Sequence, residues 1–149
     1  MSCMADINFI SLVPKYGKLK EQFANPKKVY LIDTGLINAI ALEFSSDIGR
    51  LYENIVFIEL KRREKEIYYW KNKHECDFLV KDGEEVEEVI QVCYDLTEEN
   101  REQEINGITE AMDEFRLGRG LVITGDLGGE EEISCGTISY KPLWKWLLD

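Results

Sequence analysis

Apolar residues return at helical spacing from Ile48 to about Lys65, through Leu51, Tyr52, Ile55, Val56 and Ile58. Ser45, Ser46 and Asp47 precede them as capping candidates, and Lys61, Arg62 and Arg63 close the run where the helix dipole favours cations. The spacing therefore predicts a helix. The pattern then changes to short β-rich runs at Glu66–Trp70 and Asp77–Val80. Lys81-Asp82-Gly83 turns the chain into Val89–Tyr94, which predicts a hairpin. Thr97 caps a second helix running to about Phe115, with Ile105, Ile108, Ala111, Met112 and Phe115 on one face. Gly120–Thr124 reads as a strand and Gly125–Gly129 as a turn. A last short strand, Gly136–Tyr140, precedes Pro142 at the head of a terminal helix carrying Leu143, Trp144, Trp146 and Leu147.

The segment before Ile48 is less regular. Phe9 to Pro26 shows no clear period and reads as a loop or the cut edge of another domain. Lys28–Asp33 is a short strand, and Thr34-Gly35 starts a brief apolar helix through Leu36, Ile37, Ala39 and Ile40. From Ile48 the order is helix, three strands, helix, strand, strand, helix, which suits a mixed α/β sheet with helices on its faces.

A chain of 149 residues, 44% apolar and 11% aromatic, has the material for one packed core. Its net charge of −11 is unevenly spread. Residues 1–74 carry twelve Lys and Arg against nine Asp and Glu, whereas residues 75–149 carry six against twenty. Bulk charge therefore does not favour nucleic acid, and a solvated acidic face is the simpler expectation. Cysteines at 3, 76, 93 and 135 form no CxxC pair, and His74 is the single histidine. Cys76 and Cys93 fall in apolar strands, so reduced, buried thiols in a cytoplasmic protein are expected, with no membrane segment.

Several chemistries are poorly supported. Gly125-Asp126-Leu127-Gly128-Gly129 lacks the lysine and hydroxyl of a P-loop, so no ATPase activity is expected from this chain. His74 has no Gly-x-Ser-x-Gly elbow to serve. What stands out are polar residues where apolar ones cost less. Asp77 heads a strand and Gln91 interrupts Val89–Cys93; strand alternation puts Gln91 and Cys93 on one face, with Ile90, Val92 and Tyr94 on the other. Across the hairpin, Asp77 and Gln91 can supply oxygens to a hard divalent cation. Glu53 flanks the helical stripe and Glu59 lies nearer its centre, so either can add a third oxygen. Alternatively, these glutamates pair with Arg50, Lys61 or Arg62, and Gln91 bonds a neighbouring backbone group. Spacing alone favours that alternative.

Helix-Glu, strand-Asp, then Gln-x-Cys on the next strand resembles the order of the PD-(D/E)xK nuclease-like superfamily. Asn25–Leu36, Gly49–Phe57, Tyr68–Trp70 leading to Glu75–Phe78, and Gln91–Leu96 together resemble the C-terminal domain of unknown function of archaeal and bacterial AAA+-type P-loop ATPases. The similarity covers roughly residues 20–149. It implies a restriction-endonuclease-like α/β fold, a mixed sheet flanked by helices, over residues 41–149. Residues 1–40 are then a linker or the remnant of a preceding winged-helix-like domain, and an ATPase module lies upstream.

The resemblance also implies site residues. Glu53, Asp77 and Gln91 match the metal ligands for Mg2+ or Mn2+, while Cys93 stands where active members place a lysine. A neutral thiol does not stabilise the charge of a phosphoryl transition state as an ammonium does. Lys71 or Lys73 could deliver the cation from the preceding loop. Three functions follow as expectations. One is metal-dependent phosphodiester hydrolysis, weakened or lost through Cys93. The second is a silent domain that binds DNA or RNA through Lys61, Arg62, Arg63, Lys71 and Lys73. The third is an interaction module that regulates or oligomerises its ATPase, with Trp144, Trp146 and Tyr68–Trp70 as contact or, more simply, core residues.

Overall fold

The computed structural model describes residues 9–33, 35 and 48–149. The capping candidates Ser45–Asp47 and the apolar helix expected from Leu36 to Ile40 lie outside the described residues. Strand β1 (Ile10–Val13), helix α1 (Leu19–Ala24) and strand β2 (Lys28–Leu31) come first. Helix α2 (Ile48–Arg62), the strands β3 (Glu66–Lys71), β4 (Glu75–Asp82) and β5 (Glu85–Val92), and helix α3 (Glu98–Phe115) follow. The chain ends in β6 (Arg119–Thr124), β7 (Gly129–Ile133), β8 (Gly136–Pro142) and a four-residue helix, α4 (Leu143–Trp146).

Six strands form one mixed sheet in the order β3-β4-β5-β6-β8-β7. Strands β3, β4 and β5 make an antiparallel meander, α3 carries the chain to β6 parallel to β5, and β8 lies parallel to β6. The expected α/β class, a mixed sheet flanked by helices, is therefore the observed one. The meander turns at Gly83, whose φ of +61° is in the left-handed region that suits glycine. Thr97 and Asn100 cap α3 reciprocally, side chain to backbone.

Strand alternation builds two cores. Phe78, Val80, Ile90, Val92, Leu121 and Ile123 meet Val56, Phe57 and Leu60 of α2 on one face. Leu79, Val89, Cys93 and Val122 meet Ile108, Ala111 and Met112 of α3 on the other. Among the described residues, no helix is long and apolar enough to cross a membrane.

Three expectations are corrected. Residues 9–26 are not simply a loop: β1 pairs antiparallel with β2, and Val13 and Tyr30 join the α2-side core. Lys15 and Tyr69 form a parallel bridge that covers part of the β3 edge. After the turn expected at 125–129, the chain does not run straight to the last strand: the unassigned acidic run that follows forms the edge strand β7, antiparallel to β8. Its three consecutive glutamates suit an edge, where charge discourages pairing with another chain. Trp146 is buried, but Trp144 is 60% exposed and is no core residue.

Candidate functional site

The site starts from an irregularity in β4. Between Tyr68 and Trp70 strand β3 advances two residues, while its partner positions run from Leu79 to Cys76, an advance of three. The extra residue is a β-bulge. Cys76 and Leu79 accordingly both face the α3 core, and Phe78 faces the α2 core. The bulge also aims Asp77 toward the α2 side, which alternation alone would deny it.

There Asp77 meets Lys28. The Lys28 ammonium lies 2.8 Å from Asp77 Oδ1, 2.8 Å from Glu75 Oε1 and 3.1 Å from Glu53 Oε1. An ammonium has three N–H donors, and each finds a carboxylate. Tyr30, next on the same face of β2, donates its hydroxyl to Glu53 Oε1 at 2.5 Å. The second oxygen of Asp77 accepts the Val92 N–H at 3.0 Å. Asn54, beside Glu53 on α2, bonds both backbone groups of Leu31 and holds β2 against the helix.

The charges here depend on one another. Burial and then the neighbouring Glu53 push the Asp77 carboxyl up to about 7, against the pull of Lys28 and the Val92 N–H. Burial works against the Lys28 charge, but Asp77 and Glu53 outweigh it and hold the ammonium above its ordinary range. For Glu75 too, burial is outweighed, and bonds from Lys28 and Lys71 hold it below the usual carboxylate value. The ammonium is thus the charge that persists, and the carboxylates compete for it.

The structure brings Glu53, Asp77 and Gln91 into one neighbourhood, with Gln91 in a distinct role. Its Oε1 accepts the Asp77 N–H at 3.1 Å and its Nε2 donates to Glu104 Oε2 at 2.7 Å. Glu59 is turned away: Arg62 and Arg63 bond it at 2.7 Å, and Arg62 with Arg63 holds its carboxyl down to about 2 despite burial. Of the two glutamates on α2, Glu53 is therefore the one at the cluster. Cys93 lies on the α3 side with its thiol bonded to the Asp95 carbonyl at 3.4 Å. Burial, then Glu104 and Asp95, push that thiol up to about 11, so it is neutral near pH 7.

Lys28 is the cation that reaches all three carboxylates of the cluster. Lys71 reaches Glu75 from outside, at 3.3 Å. The sequence shows Lys28 only as the first residue of a short strand, with no signal that ties it to the cluster. A cleft of about 580 Å³ opens over Asp77 and Gln91, lined as well by Lys71, Lys73 and His74 and by Glu75, Glu99, Glu102 and Glu104. His74 Nδ1 lies 2.6 Å from Glu110.

The residues do not fit a divalent ion as they stand. Three oxygens surround Nζ at 2.8–3.1 Å, wider than the roughly 2.0–2.1 Å that Mg2+ requires. The Gln91 oxygen is engaged by backbone. Among the described residues, no group of three or more His, Cys, Asp or Glu is placed to hold a metal.

The basic residues expected to bind nucleic acid form no single patch. Lys61 and Arg62 end α2 and Arg63 follows it, whereas Lys71 ends β3 and Lys73 lies beyond it, and the six residues of β3 span about 20 Å. Arg63 also lies 4.6 Å over the Trp146 ring and donates to the Trp146 carbonyl at 3.1 Å.

A family model described as "Domain of unknown function (DUF4143)" matches residues 48–144. That stretch contains α2, the meander and α3, and hence Glu53, Asp77 and Gln91 but not Lys28. An uncharacterized protein of Methanocaldococcus jannaschii is 39% identical over 132 residues, covering 81% of this chain. The chain spans 29% of that relative's length. No solved structure matches the chain.

Proposed function

The chain belongs to the DUF4143 family of domains of unknown function, and from that premise we propose that it is a nuclease-like domain, silent in hydrolysis, that serves as a protein-interaction module within a longer polypeptide. The observation that carries this reading is the Lys28 ammonium held by Glu53, Glu75 and Asp77. A phosphodiester hydrolase of this kind needs a divalent cation at those carboxylates and a cationic side chain beside the attacked phosphate. Here the carboxylates are already engaged, and the place of the lysine is taken by the neutral, hydrogen-bonded Cys93. Magnesium or manganese could enter only by expelling Lys28.

Charge favours a protein partner over DNA or RNA. Glu75, Asp77, Glu99, Glu102 and Glu104 line the cleft together with Lys71 and Lys73, and a polyanion entering it meets those carboxylates. Arg62 and Arg63 are committed to Glu59. The fitting partner is the P-loop ATPase module that the family resemblance implies, and the relative's greater length leaves room for one. The thiols of Cys76, Cys93 and Cys135, all unpaired, suit a reducing, cytoplasmic setting.

The test is cleavage of single-stranded, duplex and branched DNA and RNA with Mg2+ or Mn2+, comparing wild type with Asp77→Ala. The expected result is no metal-dependent cutting by either. Cutting by the wild type that disappears in Asp77→Ala would overturn the proposal.

A further inference from the structure

Helix α1 turns its apolar side outward. Leu19 and Phe23 stand one turn apart on the same face and are 71% and 75% exposed, and none of the six residues of the helix is buried. What fixes the helix is polar and local: Gln22 Nε2 donates to the Gly17 carbonyl at 2.9 Å, and Asn25 Nδ2 to the Glu21 carbonyl at 2.7 Å. A helix well short of the roughly 12–15 residues that stand alone in water ordinarily owes its stability to packing of an apolar face, and that of α1 is open. The strands it joins add to this surface, because Leu12 and Val29 pair directly across β1 and β2 and both are exposed. The same unit is basic. Residues 9–33 carry five lysines against Glu21 and Asp33, whereas residues 48–149 carry thirteen Lys and Arg against twenty-four Asp and Glu. Lys18, Lys20 and Lys27 are exposed, and among the described residues their ammonium groups form no ion pair. Lys27 Nζ lies 5.7 Å from the centroid of the Phe23 ring, which brings the start of β2 close to the apolar face of α1.

We infer that Leu19 and Phe23 of α1, rimmed by Lys18, Lys20 and Lys27, form a docking surface for an acidic amphipathic helix of a protein partner. The assignment rests on the interaction-module reading and deepens it by naming the face that the module presents and the chemistry that fits it. Charge complementarity selects the partner: carboxylates on its rim meet ammonium groups that have no ion pair among the described residues, and apolar side chains at its centre remove Leu19 and Phe23 from water. Phe23 gives the contact an aromatic anchor. A helix of three or four turns, roughly 16–22 Å long, is small enough to meet the lysines alone. An anionic bilayer or a nucleic acid extends past them and meets the acidic excess of residues 48–149.

The experiment selects displayed helical peptides of random sequence on the immobilised 149-residue chain, then titrates the most enriched peptide against wild type, Leu19→Ser/Phe23→Ser and Lys18→Glu/Lys20→Glu. The enriched peptide is expected to be acidic, with apolar residues one turn apart, and to bind either variant at least about tenfold more weakly than wild type. Its affinity for wild type should also fall several-fold between about 50 and about 200 mM salt. Peptides that are neutral or basic, or that hold either variant as tightly as wild type, overturn the inference, as does a selection that enriches nothing on wild type. Because the four side chains are exposed, both variants should melt within about 4 °C of wild type. A larger fall in Leu19→Ser/Phe23→Ser would mean that these side chains pack within the chain itself, and it too overturns the inference. Sedimentation and vesicle flotation name the other occupants. Self-association, or binding to phosphatidylglycerol vesicles, that disappears in Leu19→Ser/Phe23→Ser would assign the face to a second copy or to a lipid surface instead. Metal-dependent cleavage by the wild type would sink the silent-domain reading whatever the peptides do, whereas an inert wild type that selects no such peptide would sink only this inference.

Discussion

Asn54 completes the hydrogen bonding of Leu31 as a neighbouring strand would: its Oδ1 accepts the Leu31 N–H at 2.8 Å and its Nδ2 donates to the Leu31 carbonyl at 2.9 Å. The outer edge of β2 thereby finds its partner in a helix side chain, one residue from Glu53. Asn54 is itself buried, so replacing it leaves two backbone groups short of partners. Asn54→Ala is expected to cost about 2 kcal/mol, seen in urea as a lower midpoint with an unchanged slope. Asn54→Asp should cost more at neutral pH, because it turns a carboxylate toward the Leu31 carbonyl. An Asn54→Ala midpoint equal to wild type would mean that β2 is held by Lys28 and Tyr30 alone.

Acid should unfold the protein through Glu59. With its carboxyl held down to about 2 by Arg62 and Arg63, against an ordinary value of 4.5, the group contributes stability that is present above pH 4.5. That contribution is lost as pH falls toward 2. Asp77 has the opposite sign: its pKa is raised, so its contribution is present at low pH and lost as pH rises through about 7. Glu59→Gln should be less stable than wild type by roughly 1–2 kcal/mol at pH 7, discounted for the exposed Arg62. Its stability should also change less between pH 4.5 and 2. Parallel stability-against-pH curves for wild type and variant would refute this assignment.

Much of this architecture is legible in the sequence, because its elements carry periodic signals. The stripe of α2, the Thr97 cap of α3, and the division of Gln91 and Cys93 from Ile90 and Val92 follow from spacing alone. The missed elements lacked such signals. β1 has four residues and α1 six, too short for a period to emerge, and β7 is a Gly-Glu-Glu-Glu-Ile run whose side chains mostly face water. At the site, Asp77 and Gln91 were legible as polar interruptions of apolar strands. Lys28 was not, because its partners lie on elements distant in sequence, and because the bulge that turns Asp77 toward it breaks the alternation on which sequence reasoning depends.

Gly107 links α3 to that same stretch of β4. A β-carbon there would lie 2.1 Å from the Glu75 carbonyl oxygen and 3.0 Å from its carbon, so the helix can approach only because the residue is glycine. Alanine ordinarily favours a helix interior by about 1 kcal/mol. Here the backbone contact should reverse the sign, and Gly107→Ala is expected to destabilise by about 1–3 kcal/mol. Because Glu75 is one of the three carboxylates on Lys28, the displacement should also appear as shifted amide resonances at Asp77 and Lys28. A stabilised Gly107→Ala would mean that α3 can ride outward without cost.

Arg63 separates a structural from a nucleic-acid role for the basic end of α2. Its guanidinium bonds Glu59 at 2.7 Å, donates to the Trp146 carbonyl at 3.1 Å and stacks over the Trp146 ring, tying α2 to α4. A side chain with three such contacts loses all of them when it swings out to a phosphate. Arg63→Ala is therefore expected to lower stability by about 1–2 kcal/mol, through lost packing as well as lost charge. It should leave the weak affinity for a fluorescent duplex unchanged at both 50 and 200 mM salt, concentrations about fourfold apart that expose phosphate contacts. Lys61→Glu, which reverses a charge at an exposed position, should leave both stability and affinity nearly unchanged. A steep salt dependence in wild type that flattens in Arg63→Ala would instead show the guanidinium releasing Trp146 to hold a phosphate, and the end of α2 would then be a nucleic-acid contact.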